Sequence, residues 1–178
     1  MIGSLIAISF GTVFVMVNSG GLAEPWPVIV RVVAGLVAVG LVVALFRTPA
    51  EVRGAVPARG GFKDRRYWLV VLVEVVALFG GLALINQVLG WPEASVAWVT
   101  LVVGVHFFGL AWAWGMPMYH WLGAVMTALG VSGFVVFALG GSEATVGLVA
   151  GVGSGFALYG AVVAALLDVR RARSEVTV

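Results

Sequence analysis

The chain has 178 residues, of which 62% are hydrophobic and only 10% charged, with a mean hydropathy of +1.13. Soluble domains are about half apolar and about a quarter charged, so a water-soluble globule is excluded, and the net charge of +2 does not indicate nucleic acid. There is no cysteine, which removes disulfides, thiolate metal sites and thiol catalysis together.

Six apolar stretches run along the chain, at about 2–20, 27–46, 67–89, 96–115, 118–140 and 144–167. Each is near the roughly 20 residues that cross a hydrocarbon core. They predict an all-α membrane bundle of six transmembrane helices in one domain, 1–178. The first stretch has neither a basic leading segment nor a clear small-residue cleavage site, so it reads as a helix that stays rather than a signal peptide. Ser4, Gly11 and Asn18 share one of its faces, as Arg31, Gly35 and Ala38 do on the second. Segment 47–66, with Pro49, Gly54, Pro57, Gly60 and Gly61, reads as a polar loop. The third stretch contains Glu74 and the fourth His106. Pro117 then breaks the chain, and the short turn at 115–118 makes helices four and five antiparallel neighbours. In the sixth, Gly147, Gly151 and Gly155 recur every four residues and Tyr159 continues the stripe. Such a seam lets backbones approach closely, either within one chain or in a homo-oligomer. No internal repeat or interrupted helix is evident.

Charge placement sets the orientation. Arg47, Arg53, Arg59, Lys63, Arg65 and Arg66 crowd the loop after helix two, and Arg170, Arg171 and Arg173 follow helix six. Four spans separate these basic segments, so they share a side, and the positive-inside rule makes it the cytoplasm. Glu24, Glu93 and Glu143 fall in the three loops on the other side, none of which contains Lys or Arg. Both termini are therefore expected in the cytoplasm, and the protein in the plasma membrane. Trp26, Trp91 and Trp98 lie at outer ends, with Trp68, Trp112, Trp114 and Trp121 at inner ends, the pattern of an interfacial aromatic belt.

Two polar groups remain. An ionisable side chain at bilayer depth costs about 2.5–3.5 kcal/mol even on lenient insertion scales, so Glu74 calls for a use. Glu74 is seven residues past Tyr67, roughly 10 Å into the membrane, and His106 is nine before the inner end of its helix, roughly 14 Å. Helices three and four form a hairpin through 90–95, so the two side chains meet at similar depth and a Glu–His hydrogen bond is feasible. Burial penalises the charged form of each group, which suits a neutral acid poised to release its proton. A packing role for a satisfied, protonated Glu is the alternative. The second group comprises Asn18, Arg31, Asn86 and Gln87, flanked by Glu24 and Glu93. Arg31 either snorkels to water or lines an outer vestibule in which Glu24 or Glu93 is the working acid. No cofactor is expected: His106 and His120 are too far apart in depth for one haem, and nearby metal ligands are too few.

Phe10, Phe14, Phe79, Phe107, Phe108, Phe134, Phe137 and Tyr159 lie too deep for a belt. Mostly such rings are filling, but a subset beside an acid makes a cavity with π faces able to stabilise a cation.

The segments Val105, His106, Phe107, Phe108, Gly109, Leu110, Ala111 and Pro117, Met118, Tyr119, His120, Trp121, Leu122, Gly123 resemble those of small actinobacterial six-helix membrane proteins. In size, helix content and sparse intramembrane acids the chain is also similar to the membrane-bound terpene cyclases of the drimentine type. That resemblance implies protonation of a farnesyl chain followed by cation cyclisation. It spans the chain without a motif that aligns residue by residue, so no catalytic position is carried over. The DxDD signature of soluble type II cyclases is absent, since Asp64 and Asp168 are the only aspartates.

The expected function is a membrane-embedded enzyme acting on a prenylated, lipid-soluble small molecule, most concretely a proton-initiated terpene cyclase. Glu74 would be the acid, His106 its orienting or deprotonating partner, and Phe14, Phe79, Phe107, Phe108 and Tyr159 the cation-stabilising surface. The alternatives are a small proton-coupled transporter using Glu74 and His106 as a relay, and a membrane scaffold subunit.

Overall fold

The computed structural model describes residues 2–48 and 64–176, with side chains as far as Arg171. Residues Pro49, Arg53, Gly54, Pro57, Arg59, Gly60, Gly61 and Lys63, which the sequence predicts to be a loop, and the side chain of Arg173, lie outside the described residues. Among the described residues the protein is all-α. Its helices are α1 (Ile2–Asn18), α2 (Trp26–Arg47), α3 (Arg65–Leu89), α4 (Ser95–Trp114), α5 (Met118–Ala138) and α6 (Glu143–Arg171, continuing to Val176). The last five are long and apolar enough to cross a membrane, as the composition requires of a membrane protein, and α1 is a shorter apolar helix.

Local chemistry sets the ends. Asp64 caps α3 by accepting from the Arg66 N–H at 2.9 Å. Ser142 caps α6, its Oγ accepting from the Thr145 N–H at 3.3 Å. Helix α4 stops at Gly115, whose φ of 64° is a left-handed conformation that only glycine adopts without strain. Pro117, two residues further on, is the N-cap of α5. The α4–α5 turn is therefore as short as the sequence predicts. Helix α6 runs beyond the predicted end at 167, because Arg170 and Arg171 continue the helix as exposed residues.

Two helices contain a widened, π-type turn, at Leu84–Leu89 in α3 and Gly147–Val152 in α6. Both turns lie within continuous helical spans, Arg65–Leu89 and Glu143–Arg171. The α6 turn frees backbone for cross-helix bonding: Thr100 Oγ1 donates to the Ala150 carbonyl at 3.0 Å, and Ser154 Oγ lies 3.4 Å from Thr100 Oγ1. Both Thr100 and Ser154 are fully buried, so the network joins α4 to α6 where hydrocarbon offers no other partner.

Helix α6 is the centre of the bundle, with 56% of its apolar window buried against 6% for α3. Its glycine stripe faces α1 within the same chain. Gly147 and Gly151 abut Asn18, and Gly155 abuts Val15 and the Gly11 carbonyl. A second small-residue seam joins α4 to α5, with Gly104 against Thr127 and Gly130 against the Leu101 backbone. Apolar clusters tie these layers together: Ile8, Val15, Ala34, Leu41 and Val162 join α1, α2 and α6, while Phe14, Leu122, Met126 and Leu158 join α1, α5 and α6. Helix α3 packs chiefly on α4. There Trp98 lies over Gly81 and donates its indole N–H to the Ala77 carbonyl at 3.1 Å. That bond makes Trp98 a tie between α3 and α4.

Candidate functional site

Glu74 on α3 and His106 on α4 meet as the depth argument expects, with Glu74 Oε2 3.0 Å from His106 Nδ1. Both are largely shielded, at 23% and 12% side-chain exposure. The approach is close but poorly aligned, so the buried Nδ1 completes no linear hydrogen bond.

The pair stands between two cavities. The first, of about 240 Å³, is enclosed by α1, α3, α4, α5 and α6. Glu74, His106, Ser4, Tyr67, Trp114 and Tyr119 are among its polar lining residues, while Ala7, Phe14, Val103, Phe107, Leu122 and Leu158 supply apolar wall. Four rings run in series along it. Tyr67 stacks on Trp114 at 5.6 Å, Trp114 meets Tyr119 edge-on at 5.6 Å, and Tyr119 stacks on Phe107 at 5.8 Å. Phe107 in turn abuts the His106 ring at 5.8 Å. Ile6 and Phe10, also in the lining, are 45% and 58% exposed, so the cavity opens between helices toward the lipid-facing surface. The second cavity, of about 590 Å³, lies between α3 and α4 and is also bordered by Glu74 and His106.

The other candidate residues divide between these spaces and the scaffold. Phe14 and Phe107 line the first cavity. Phe108 lines the second and meets His120 edge-on at 6.1 Å. Phe79 is 65% exposed and borders neither. Tyr159 is buried in the α1–α2–α6 core, its hydroxyl 2.7 Å from Thr12 Oγ1 and 3.4 Å from the Ala34 carbonyl.

The structure does not gather Asn18, Arg31, Asn86, Glu24 and Glu93 into one hydrogen-bonded group. Asn18 donates to the Phe14 carbonyl at 2.8 Å and packs in the glycine seam. Arg31 donates through Nε to the buried Ser19 Oγ at 3.0 Å, placing a cation at the C-terminal end of α1, where the helix dipole favours one. Asn86 is bound to Ser95 Oγ at 3.0 Å and to the Leu82 carbonyl at 2.8 Å. Glu24 is exposed and Glu93 half-buried in the turn before α4.

Sequence reasoning missed Tyr67, Trp114 and Tyr119 as cavity residues. One signal was present: Tyr67 and Glu74 are seven residues apart, two turns along one helix face. Trp114 was masked by its position at a helix end, where a belt explanation sufficed.

The fold and the site together define a helical membrane bundle with a half-buried acid–imidazole pair set between apolar cavities. Comparisons of the chain with protein-family models, curated proteins and solved structures each find no match.

Proposed function

We propose that this is a six-span plasma-membrane enzyme that protonates a prenylated, lipid-soluble substrate and lets the resulting cation cyclise. The supporting observation is the Glu74–His106 pair, 3.0 Å apart, in the wall of a cavity lined by four aromatic rings in series. An alkene is a very weak base, so its protonation needs an undissociated acid, exclusion of water and a surface that stabilises positive charge. Aromatic faces serve the last need.

The step balances without a cofactor. The Glu74 O–H gives its proton to a terminal alkene carbon, the π pair becomes the new C–H bond, and a tertiary cation remains. The π pair of the next alkene closes a C–C bond and moves the cation onward. Loss of a C–H proton to the Glu74 carboxylate, directly or by way of His106, restores an alkene and the acid. The net reaction is an isomerisation. A volume of about 240 Å³ is below the roughly 300–1,000 Å³ of small-molecule sites. The cavity thus suits the end of a prenyl chain, with the acceptor portion at the lipid-facing mouth.

In this reading α1 also spans, and the basic ends, with Arg47, Arg65, Arg66, Arg170 and Arg171, are cytoplasmic along with both termini. One observation favours a second reading: the same pair borders both cavities, as a relay in a proton-coupled transporter would.

The test is conversion of a farnesylated acceptor by purified protein. Glu74→Gln keeps the shape and a donor but has no acidic proton, so it should fold normally and lose turnover about 100-fold or more. Full activity in Glu74→Gln, with loss in Glu24→Gln or Glu93→Gln, would move the acid to the outer ends. No conversion by wild type, with proton flux into liposomes that Glu74→Gln abolishes, would establish the transporter instead.

A further inference from the structure

The cleft between α3 and α4 is a different space from the aromatic cavity. Its volume, about 590 Å³, is within the range of small-molecule sites. Val70, Val73, Leu101, Val105, Phe108 and Trp112 form its walls. Their character suits an aliphatic chain drawn from the bilayer.

The two ends of the cleft differ. At one, the Arg66 guanidinium lies over the Trp112 ring, 5.1 Å from its centroid. Stacking occupies a guanidinium face and leaves its N–H edge to grip a phosphate in bidentate fashion. At the other end Trp98 lines the cleft, anchored by its bond to the Ala77 carbonyl at 3.1 Å. Glu74 and His106 lie in the wall between. Helical rise puts Glu74 about 12 Å, and Ala77 about 16 Å, along the axis from Arg66. An extended chain advances roughly 1.2 Å per bond. The interval from Arg66 to Glu74 is thus about ten bonds, between two and three isoprene units, and the interval to Ala77 is about three units.

We infer that this α3–α4 cleft binds a linear prenyl phosphate of about farnesyl length, with its phosphate on Arg66 and its chain running past Trp112 and Val73 to Glu74. The anionic head is argued from the placement of Arg66, and the single chain from the apolar walls and length. The choice of a prenyl chain rests on the function proposed above.

The experiment is equilibrium binding to the full chain in phosphatidylcholine nanodiscs, with farnesyl phosphate, farnesol and dodecyl phosphate as probes. Wild type is expected to bind farnesyl phosphate at least tenfold more tightly than farnesol, and Arg66→Gln to abolish that preference. Val73→Trp, at a position 60% exposed and so tolerant of a larger side chain, fills the cleft and should weaken farnesyl phosphate at least tenfold. Because binding is read without turnover, farnesyl phosphate binding lost in Arg66→Gln and Val73→Trp by a protein that converts no farnesylated acceptor would keep this site and sink only the enzymatic reading. Unchanged farnesyl phosphate binding in Arg66→Gln would overturn the inference, and independently so would unchanged binding in a folded Val73→Trp. Dodecyl phosphate binding as tightly as farnesyl phosphate would also overturn it, by revealing a general anionic-lipid contact.

Discussion

Gly155 and Gly160 lie on the same helix, and the same substitution at the two sites isolates the α1–α6 seam. A Cβ added at Gly155 would fall 2.6 Å from the Gly11 carbonyl oxygen and 2.5 Å from Val15 Cγ2, whereas one at Gly160 meets nothing within 4 Å. Carbon–oxygen contacts between packed helices are normally about 3.3–3.6 Å, so α1 must retreat by about 0.7 Å or more. The obstructing oxygen is backbone and cannot rotate away. Both substitutions gain about 0.8–1 kcal/mol of helix propensity, and that gain cancels between them. What remains is the overpacking cost of about 1–3 kcal/mol. At about 2–4 °C per kcal/mol for a chain of this size, Gly155→Ala should melt roughly 2–12 °C below Gly160→Ala. The measurement is thermal unfolding of both variants and wild type in one detergent, supported by denaturant titration. Equal melting temperatures would refute the seam. Because α1 carries Ser4, Ala7 and Phe14 of the cavity wall, its retreat should also lower turnover in Gly155→Ala and leave Gly160→Ala unaffected.

The Tyr159 hydroxyl serves the core, so Tyr159→Phe should cost about 1 kcal/mol through loss of the Thr12 bond in denaturant titration and leave turnover unchanged. A hundredfold drop in turnover would return Tyr159 to the site. Thr100→Val removes the donor to the Ala150 carbonyl and the partner of buried Ser154, and should destabilise by about 1–3 kcal/mol by the same titration. Cysteines introduced at Glu93 and Glu143 should react with impermeant reagents in intact cells, and one at Arg59 should not. Labelling at Arg59 would reverse the proposed topology.

Much of the architecture is legible along the chain, because a membrane span is defined by length and apolarity, and a loop by charge, glycine and proline. The tight α4–α5 turn follows from Gly115 and Pro117, and the meeting of Glu74 with His106 follows from helical rise and a short hairpin. What the chain does not reveal is which face of each helix turns inward. In water an apolar stripe marks the core. In lipid the outer face is as apolar as the inner one, so Phe79, on the exposed surface, and Phe107, in the cavity, read alike. The same ambiguity made Tyr159 a plausible cavity ring until its hydroxyl proved to be bound to Thr12. Recurring glycines announced a seam, but only the fold decided that Asn18, Val15 and Gly11 of the same chain fill it. The widened turn of α6 is bonded across to α4 through Thr100 and the Ala150 carbonyl, 50 residues apart in the chain. Hydrophobicity thus determined that these helices exist. Steric fit and satisfaction of buried polar groups, which arise only between packed helices, decided how they assemble around Glu74.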